Sequence, residues 1–331
     1  FHVLTSNIDC LGPSDSLTMT PADLNLLLMD WATYNKATDA AASGVLHLLR
    51  AAVSKEDAAH LETWDQLKNK LRKFEGDVVQ RIDVCINDCI AYYDSKNLPK
   101  KEQWRHYHRT VCPACNEPRY VIDPETNSQK PRKVMFHFFL APFVRSLYAR
   151  LDVAEQLPSD SGARPESHVS WSRGFKAKVT DNPQMNGDIR NLAFIGSTDG
   201  VPLFDDQRRS AWPFLLRVAN LPDSMAQHPS NAHLALLAPG EHLTLDTQAN
   251  CVRRVFREPK SLGPYTHVLV DDLYGAYHNG IPVKDSRCSD EDANANFMCK
   301  CVLLYWVGDY PAQAKISGMH IYFTNLSALI L

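Results

Sequence analysis

The chain lacks several features that would assign it to a functional class at once. Its 331 residues contain no apolar run approaching the roughly 20 residues that a membrane-spanning helix needs. No basic segment followed by an apolar stretch opens the sequence, so no secretory signal is readable. The net charge is −3, so the chain as a whole does not show the polycationic character of many nucleic-acid-binding proteins. Any phosphate binding must therefore come from local groups of Lys and Arg.

Cysteine is comparatively abundant, with nine residues in total. Four of them form two closely spaced pairs, Cys85 with Cys89 and Cys112 with Cys115. Because no secretory signal accompanies them, this spacing favours a metal site over disulfides and indicates a reducing, intracellular compartment. The first residue is Phe1 rather than Met, so we expect a fragment or a processed gene model.

The residue pattern divides the chain into six segments. We expect a loose lead-in (1–20), a helical region (21–80), a four-cysteine module with a connector (81–149), an irregular linker rich in Ser, Pro and Gly (150–190), a mixed α/β region (191–318) and an apolar tail (319–331). The fold class predicted is α+β, with an N-terminal helical bundle and a small zinc-ribbon-like module before the mixed α/β domain.

The mixed α/β region is predicted to contain four strands and one long helix. The strands are Asn191–Ser197, Trp212–Val218, the run around His233–Ala238, and Cys301–Val307, and the helix is Tyr265–His278. Because a parallel connection requires a crossover, we expect the helix to return the chain so that the last strand lies parallel to the first.

Two carboxylates stand out by position, Asp199 and Asp309, since each follows a long apolar run. If the two strands are neighbours, their carboxylates converge at one edge of the sheet, where they could hold divalent cations for phosphoryl chemistry. The alternative is that Asp199-Gly200 forms only a turn, which this dipeptide commonly does.

Cys85, Cys89, Cys112 and Cys115 match the pattern of a structural zinc site with four thiolate ligands. His106 and His108 lie nearby and could replace one thiolate. The alternative is that Cys85 and Cys89, at positions i and i+4, are two buried helix cysteines. Cys299 and Cys301 are predicted to be core residues. Arg253, Arg254 and Arg257 form a local basic group that either lines a DNA channel or covers a solvated helix or loop.

Four stretches resemble CACTA-type (En/Spm-like) DNA transposases, in the order that this family has them. They are IDVCINDCI (82–90) with CPAC (112–115), RKVMFHF (132–138), LAFIGSTDGVPLF (192–204) followed by WPF and NLP, and GDYPA (308–312). The resemblance covers roughly residues 20–319, and its first and third stretches are the most specific.

The resemblance implies a catalytic domain similar to RNase H, here incomplete. It implies that Asp199 and Asp309 are the first two acids of a DDE site that uses Mg²⁺ or Mn²⁺, and that DNA, as transposon ends and target, is the partner. The family continues through a second Cys-x-x-Cys segment to a third acid, a Glu. This sequence departs from the family after Gly318, so we expect a truncated and inactive fragment.

The function expected is therefore a nuclear cut-and-paste DNA transposase, with self-association as a further expectation and no membrane partner. The alternative is a domesticated or decayed relative that binds DNA or protein without catalysis. An unrelated α/β hydrolase would need a nucleophile elbow, and the sequence contains no Gly-x-Ser-x-Gly.

Overall fold

The computed structural model describes residues 20–21, 24–25, 28–29, 32, 38–157, 168–202, 210–289 and 291–317. The expected lead-in up to residue 19, part of the expected linker, Gly318 and the whole expected tail (319–331) lie outside the described residues. The chain divides into two compact units, Phe1–Asp77 and Val78–Leu331.

The first unit is helical in its described part. Helices α1 (Asp39–Ala52), α2 (Lys55–His60) and α3 (Trp64–Val78) follow one another. The Thr38 and Ser54 side chains accept hydrogen bonds from backbone N–H groups at the starts of α1 and α2, which is the usual way to satisfy a helix end. A small apolar cluster contains Leu28, Leu46 and Leu61. These helices occupy the region in which the apolar spacing predicts them, up to Val78.

The second unit is built on a seven-stranded mixed sheet, with a separate hairpin and two other short strand pairs. The sheet runs in the order β1-β4-β8-β7-β5-β13, and β6 pairs with β7. The strands are β1 (Val79–Asp83), β2 (Tyr120–Ile122), β3 (Gln129–Pro131), β4 (Val134–Phe138), β5 (Leu192–Thr198), β6 (Val201–Pro202), β7 (Ser210–Val218), β8 (Ala232–Pro239), β9 (Glu241–Asp246), β10 (Cys251–Phe256), β11 (Ile281–Lys284), β12 (Asn296–Cys299) and β13 (Cys301–Val307).

The α-helices of this unit are mostly short, with one long exception. They are α4 (Leu140–Ala149), α5 (Leu151–Ala154), α6 (Arg173–Phe175), α7 (Asp223–Ala226), α8 (Gly263–His278) and α9 (Tyr310–Ser317). Short 3₁₀ segments at Val169–Trp171 and Pro229–Asn231 and a π-helical turn at Lys176–Thr180 complete the described elements. Among the described residues, no helix is long and apolar enough to cross a membrane.

The strand pairing within residues 191–318 confirms the topology predicted for that region. Strand β7 is antiparallel to β5, and β8 is antiparallel to β7. Helix α8 then carries the chain back, and β13 pairs with β5 in parallel. In that pair Leu192 lies opposite Cys301, and Ser197 lies opposite Val307.

The sheet is wider than the sequence predicts, because β1 and β4 also belong to it. Strand β1 pairs antiparallel with β4, and Phe136 and His137 of β4 pair with β8. Both strands lie outside the region assigned to the sheet, since residues 79–80 were placed with the helices and 81–149 with the cysteine module. The four-cysteine module is therefore an insertion between two strands of the main sheet.

Apolar side chains cover both faces of the sheet. Leu192 and Phe194 of β5 point into the main core, which α4 and α8 cover. Ala193, between them, points to the opposite face and packs with Phe175 and Val179. This alternation follows from the two-residue repeat of a strand. Residues 168–180, which the composition assigned to an irregular linker, thus form helical turns that cover the second face of the sheet.

Candidate functional site

The four paired cysteines lie on two tight turns that face each other. The Asp88 N–H donates to the Cys85 carbonyl at 2.9 Å, and the Asn116 N–H donates to the Cys112 carbonyl at 2.9 Å. Asp88 and Asn116 both have positive φ angles, of 56° and 60°. Asp and Asn tolerate this left-handed conformation better than most residues, so each turn can fold back sharply. Cys85 and Cys89 therefore lie on a turn rather than a helix.

The four sulfur atoms converge, as the spacing predicts. All four ligand atoms lie within 4.8 Å of one another, and the Cys85 and Cys115 Sγ atoms are 3.4 Å apart. A tetrahedral ion with Zn–S bonds of about 2.3 Å holds its sulfurs about 3.8 Å apart. The geometry and the four-thiol donor set therefore fit a metal such as zinc. The His106 imidazole is not part of this group, so the structure favours four sulfur ligands over a His replacement.

The protein environment treats the thiols unequally. Burial raises the pKa of the Cys85 thiol to about 11 and also raises the pKa of Cys89. Burial acts in the same direction on Cys115, but N–H groups of Glu117 and Asn87 outweigh it and lower the pKa of Cys115 to about 7. N–H donors at a thiol of this kind stabilise the thiolate form that a metal requires.

The first cysteine turn is anchored to helix α8 through Asp88. Its side chain is fully buried and forms an ion pair with Lys133, whose side chain is 2% exposed. The Tyr265 hydroxyl of α8 donates to the same carboxylate at 2.7 Å, and the Lys260 N–H donates at 2.9 Å. Because a buried charge needs several partners, these contacts fix the turn against the start of α8.

The two candidate catalytic acids lie at one edge of the sheet. Asp199 directly follows β5, and Asp309 follows β13 after Gly308. Because Ser197 and Val307 lie opposite each other in a parallel pair, the two acids occupy equivalent positions beyond the strand ends. Both residues are exposed. The structure thus places at the same sheet edge two residues that are 110 positions apart in sequence (309 − 199).

Each of the two carboxylates accepts a backbone hydrogen bond. The Gly200 N–H donates to Asp199 Oδ1 at 2.7 Å. The Ala312 N–H donates to Asp309 Oδ1 at 2.8 Å, so Asp309 caps the start of α9. A carboxylate has about four acceptor positions, so one such bond leaves capacity for a cation. In the part of the chain that the structure describes, no third acid or His joins these two with all ligand atoms within 4.8 Å.

An aromatic ring supports the loop that carries Asp199. A Cβ atom at Gly200 would lie 2.9 Å from the Trp212 ring, so the glycine allows the loop to rest on that indole. The Lys315 ammonium lies over the Trp212 ring, 4.0 Å from its centroid. Lys315 pairs with Glu258 at 2.8 Å. This arrangement gathers a cation and an acid beside the sheet edge, which sequence spacing did not indicate.

The arginines considered for DNA binding lie on the β9–β10 hairpin or directly after it. Arg253 pairs with Asp246 at 3.2 Å, and Arg254 pairs with Glu241 at 3.1 Å. Both side chains are more than half exposed. Arg257 is exposed as well, and its backbone N–H donates to the Gly240 carbonyl. The group is therefore part of a hairpin rather than a helix, and two of its charges have acidic partners.

Comparison with known proteins gives one match. Residues 165–328 match the model of the transposase family tnp2, which is 164 of the 331 residues (328 − 165 + 1). The matched region contains β5, β13 and both acids, and it runs through residues 319–328, which were expected to differ from the family. No curated protein and no solved structure gives a significant match. The family match supports the assignment of this chain to a transposase family.

Proposed function

We propose that this chain derives from a CACTA-type DNA transposase, a family that cuts and joins strands by DDE chemistry, with Asp199 and Asp309 as two acids of the site. The observation that supports this most is the parallel pairing of β5 and β13, each followed by an acid at the same sheet edge. Three antiparallel strands and a helical crossover to a parallel fourth form the arrangement expected of an RNase H-like catalytic domain.

In this proposal the protein's own groups position the reacting atoms. The carboxylates of Asp199 and Asp309 bind divalent cations at the sheet edge, and the hydrogen bonds from Gly200 and Ala312 orient them. When bound by these two carboxylates, Mg²⁺ or Mn²⁺ would supply the Lewis acidity needed to activate water and a DNA 3′ hydroxyl. The partners are transposon ends and target DNA, and the compartment is the nucleus.

The four-cysteine cluster has a structural role in this proposal. We propose that it binds one zinc ion, which holds the two turns of the inserted module together. Through Asp88 and Lys260, this module is fixed to the segment that leads into α8. The zinc site thereby contributes to the position of the crossover helix.

A strand-cleavage assay tests the catalytic part of the proposal. The resemblance implies a third acid, and we propose that cleavage requires it. The 331-residue chain with Mn²⁺ is therefore expected not to nick a labelled duplex. Nicking that disappears on Asp199→Asn would contradict the need for a third acid while supporting the role of Asp199. If the chain binds DNA but neither cleaves it nor binds Mn²⁺, the alternative is favoured: a relative that binds DNA or protein without catalysis. The cysteine cluster also supports that alternative.

A further inference from the structure

One segment carries concentrated positive charge although the chain as a whole is slightly negative. Residues 100–109 (KKEQWRHYHR), called the basic loop below, contain four Lys or Arg residues and one Glu, which gives +3 (4 − 1) against −3 for all 331 residues. The four cationic side chains are exposed: Lys100, Lys101, Arg105 and Arg109. Within the described residues, none of the four forms an ion pair with Asp or Glu.

Two turns place these groups at the surface. The Glu102 N–H donates to the Pro99 carbonyl at 2.8 Å, so Lys100 and Lys101 occupy the corners of the first turn. The Arg109 N–H donates to the His106 carbonyl at 3.1 Å and closes the second turn. Tyr107 lies at a corner of this second turn, and its side chain is 53% exposed. An exposed aromatic ring thus accompanies four cations that have no acidic partner among the described residues, although Arg105 donates a hydrogen bond to the Gln103 side chain.

The basic loop is held on a rigid support. Ser95 and Trp104 exchange backbone and side-chain hydrogen bonds of 3.0 Å across the base of the loop. The Trp104 ring stacks on His267 of α8, with centroids 3.9 Å apart and planes inclined by 13°. Asp271 of α8 accepts three backbone N–H bonds of 2.9 Å from residues 96–98, just before the loop. Such a preformed surface loses little conformational entropy on binding.

The hairpin arginines differ from the basic loop in one important respect. Arg253 and Arg254 already have acidic partners, which a phosphate would have to displace. Among the described residues, no acidic side chain neutralises the cations of the basic loop, so these cations repel one another. That repulsion is relieved when a polyanion binds. Counterion release on phosphate binding therefore favours the loop over the hairpin.

We propose that the basic loop is the main surface through which this chain binds the nucleic-acid backbone. Lys100, Lys101, Arg105 and Arg109 contact phosphates, and Tyr107 packs against a sugar or an unpaired base. The inference rests on the proposed function for the class of partner, DNA, and on the loop's own charge and exposure for the site.

The test compares two triple variants of equal charge change. One removes loop charges (Lys100→Gln, Lys101→Gln, Arg105→Gln) and the other removes hairpin charges (Arg253→Gln, Arg254→Gln, Arg257→Gln). Fluorescence anisotropy with a labelled duplex, measured from 50 to 200 mM salt, gives affinity and its salt dependence. Loop substitution is expected to weaken binding at least tenfold and to make the log–log salt slope shallower by about 2 to 3, while the hairpin variant stays within about threefold of wild type.

The remaining outcomes separate the possible failures. Equal zinc content and equal melting temperatures show that the variants are folded. The single variant Lys100→Glu, at a corner of the first turn, provides a milder second test of the loop's role in DNA binding. Wild-type affinity and salt slope in the loop variant, alongside weaker binding by the hairpin variant, would overturn the inference while leaving the proposed function intact. Binding of polyglutamate but not of duplex by the wild-type chain would indicate an acidic protein partner and overturn both.

Discussion

At the scale of single residues, the buried acid of α8 has contacts that residue spacing in the sequence does not predict. Asp271 and Asp272 are neighbouring acids of this helix, and the sequence does not show which of them is buried. In the structure Asp271 is fully buried, and its carboxylate accepts bonds from the Tyr93 hydroxyl and three backbone N–H groups. Those partners lie more than 170 positions earlier, so no local pattern reveals them.

Replacing this acid should be costly. We expect Asp271→Asn to lower the free energy of unfolding by about 3 kcal/mol, because an amide NH₂ would face N–H donors and the charge-assisted bonds would be lost. Asp272→Asn is the matched control, since that side chain is 24% exposed and accepts one backbone bond, from Leu140. Its expected cost is about 1 kcal/mol. Equal losses in urea unfolding would contradict the assignment of Asp271 as an anchor.

A buried histidine gives a prediction about pH. Burial lowers the pKa of His233 to about 4, although its bond to the Phe138 carbonyl and the Asp272 charge act in the opposite direction. As pH falls below 6.5, the unfolded chain takes up a proton that the folded chain does not. The contribution of His233 to the free energy of unfolding is therefore fully present above pH 6.5 and declines towards pH 4. About 2 kcal/mol of it is lost between pH 7 and pH 5.

The variant His233→Gln retains an N–H donor for Phe138 but cannot titrate in this range. Urea unfolding at pH 7 and pH 5 should show a smaller pH-dependent loss in the variant than in wild type, by about 2 kcal/mol. His137 and Asp272 remain in both proteins, so their contributions cancel in the comparison. An identical pH dependence in the two proteins would show that His233 titrates normally in the folded state.

At the scale of elements, the strands with long apolar runs could be predicted from sequence and the others could not. Strands β5, β7 and β13 are mostly apolar and bounded by polar residues, so their positions and their pairing order followed from pattern and crossover rules. Strand β1 has only five residues, three of them polar, and follows directly on α3. Its membership of the sheet depends on pairing with β4, more than 50 residues later, which local spacing does not encode.

The contact between β5 and β13 provides a test of this element pair. A Cβ atom at Gly196 would lie 2.1 Å from the Trp306 ring, so the bulky side chain on one strand requires glycine on its neighbour. Gly196→Ala should lower the free energy of unfolding by about 1–3 kcal/mol through overpacking. Gly187→Ala is the control, because no atom lies within 4 Å of the added carbon. A change no larger than in the control would show that the strands are not packed in this way.

At the scale of the whole molecule, the four-cysteine module and the acidic sheet edge are linked by short contacts. Asp88 of the module binds the Lys260 N–H, and Glu258, two residues earlier, pairs with Lys315 of α9. Sequence spacing predicted both sites separately, since each depends on a local motif. Their connection depends on the segment between β10 and α8, which contains no motif that indicated it.

The metal content of the module can be measured directly. We expect one zinc per chain by elemental mass spectrometry, and its loss in Cys112→Ser, whose side chain is fully buried in the cluster. Cys251→Ser is the control, since this cysteine lies on β10 outside the cluster. Zinc retained at one equivalent by Cys112→Ser would be inconsistent with a four-thiolate site.

The central claim is that Asp199 and Asp309 bind a divalent cation together. Electron paramagnetic resonance titration measures Mn²⁺ binding without requiring cleavage. The zinc-loaded wild-type chain is compared with Asp199→Asn, Asp309→Asn and the control Asp223→Asn in α7. Either of the first two substitutions is expected to weaken Mn²⁺ binding at one site at least about tenfold and to leave zinc in place, while the control behaves like wild type. Unchanged Mn²⁺ binding in both Asp199→Asn and Asp309→Asn would contradict a shared cation site at these two acids.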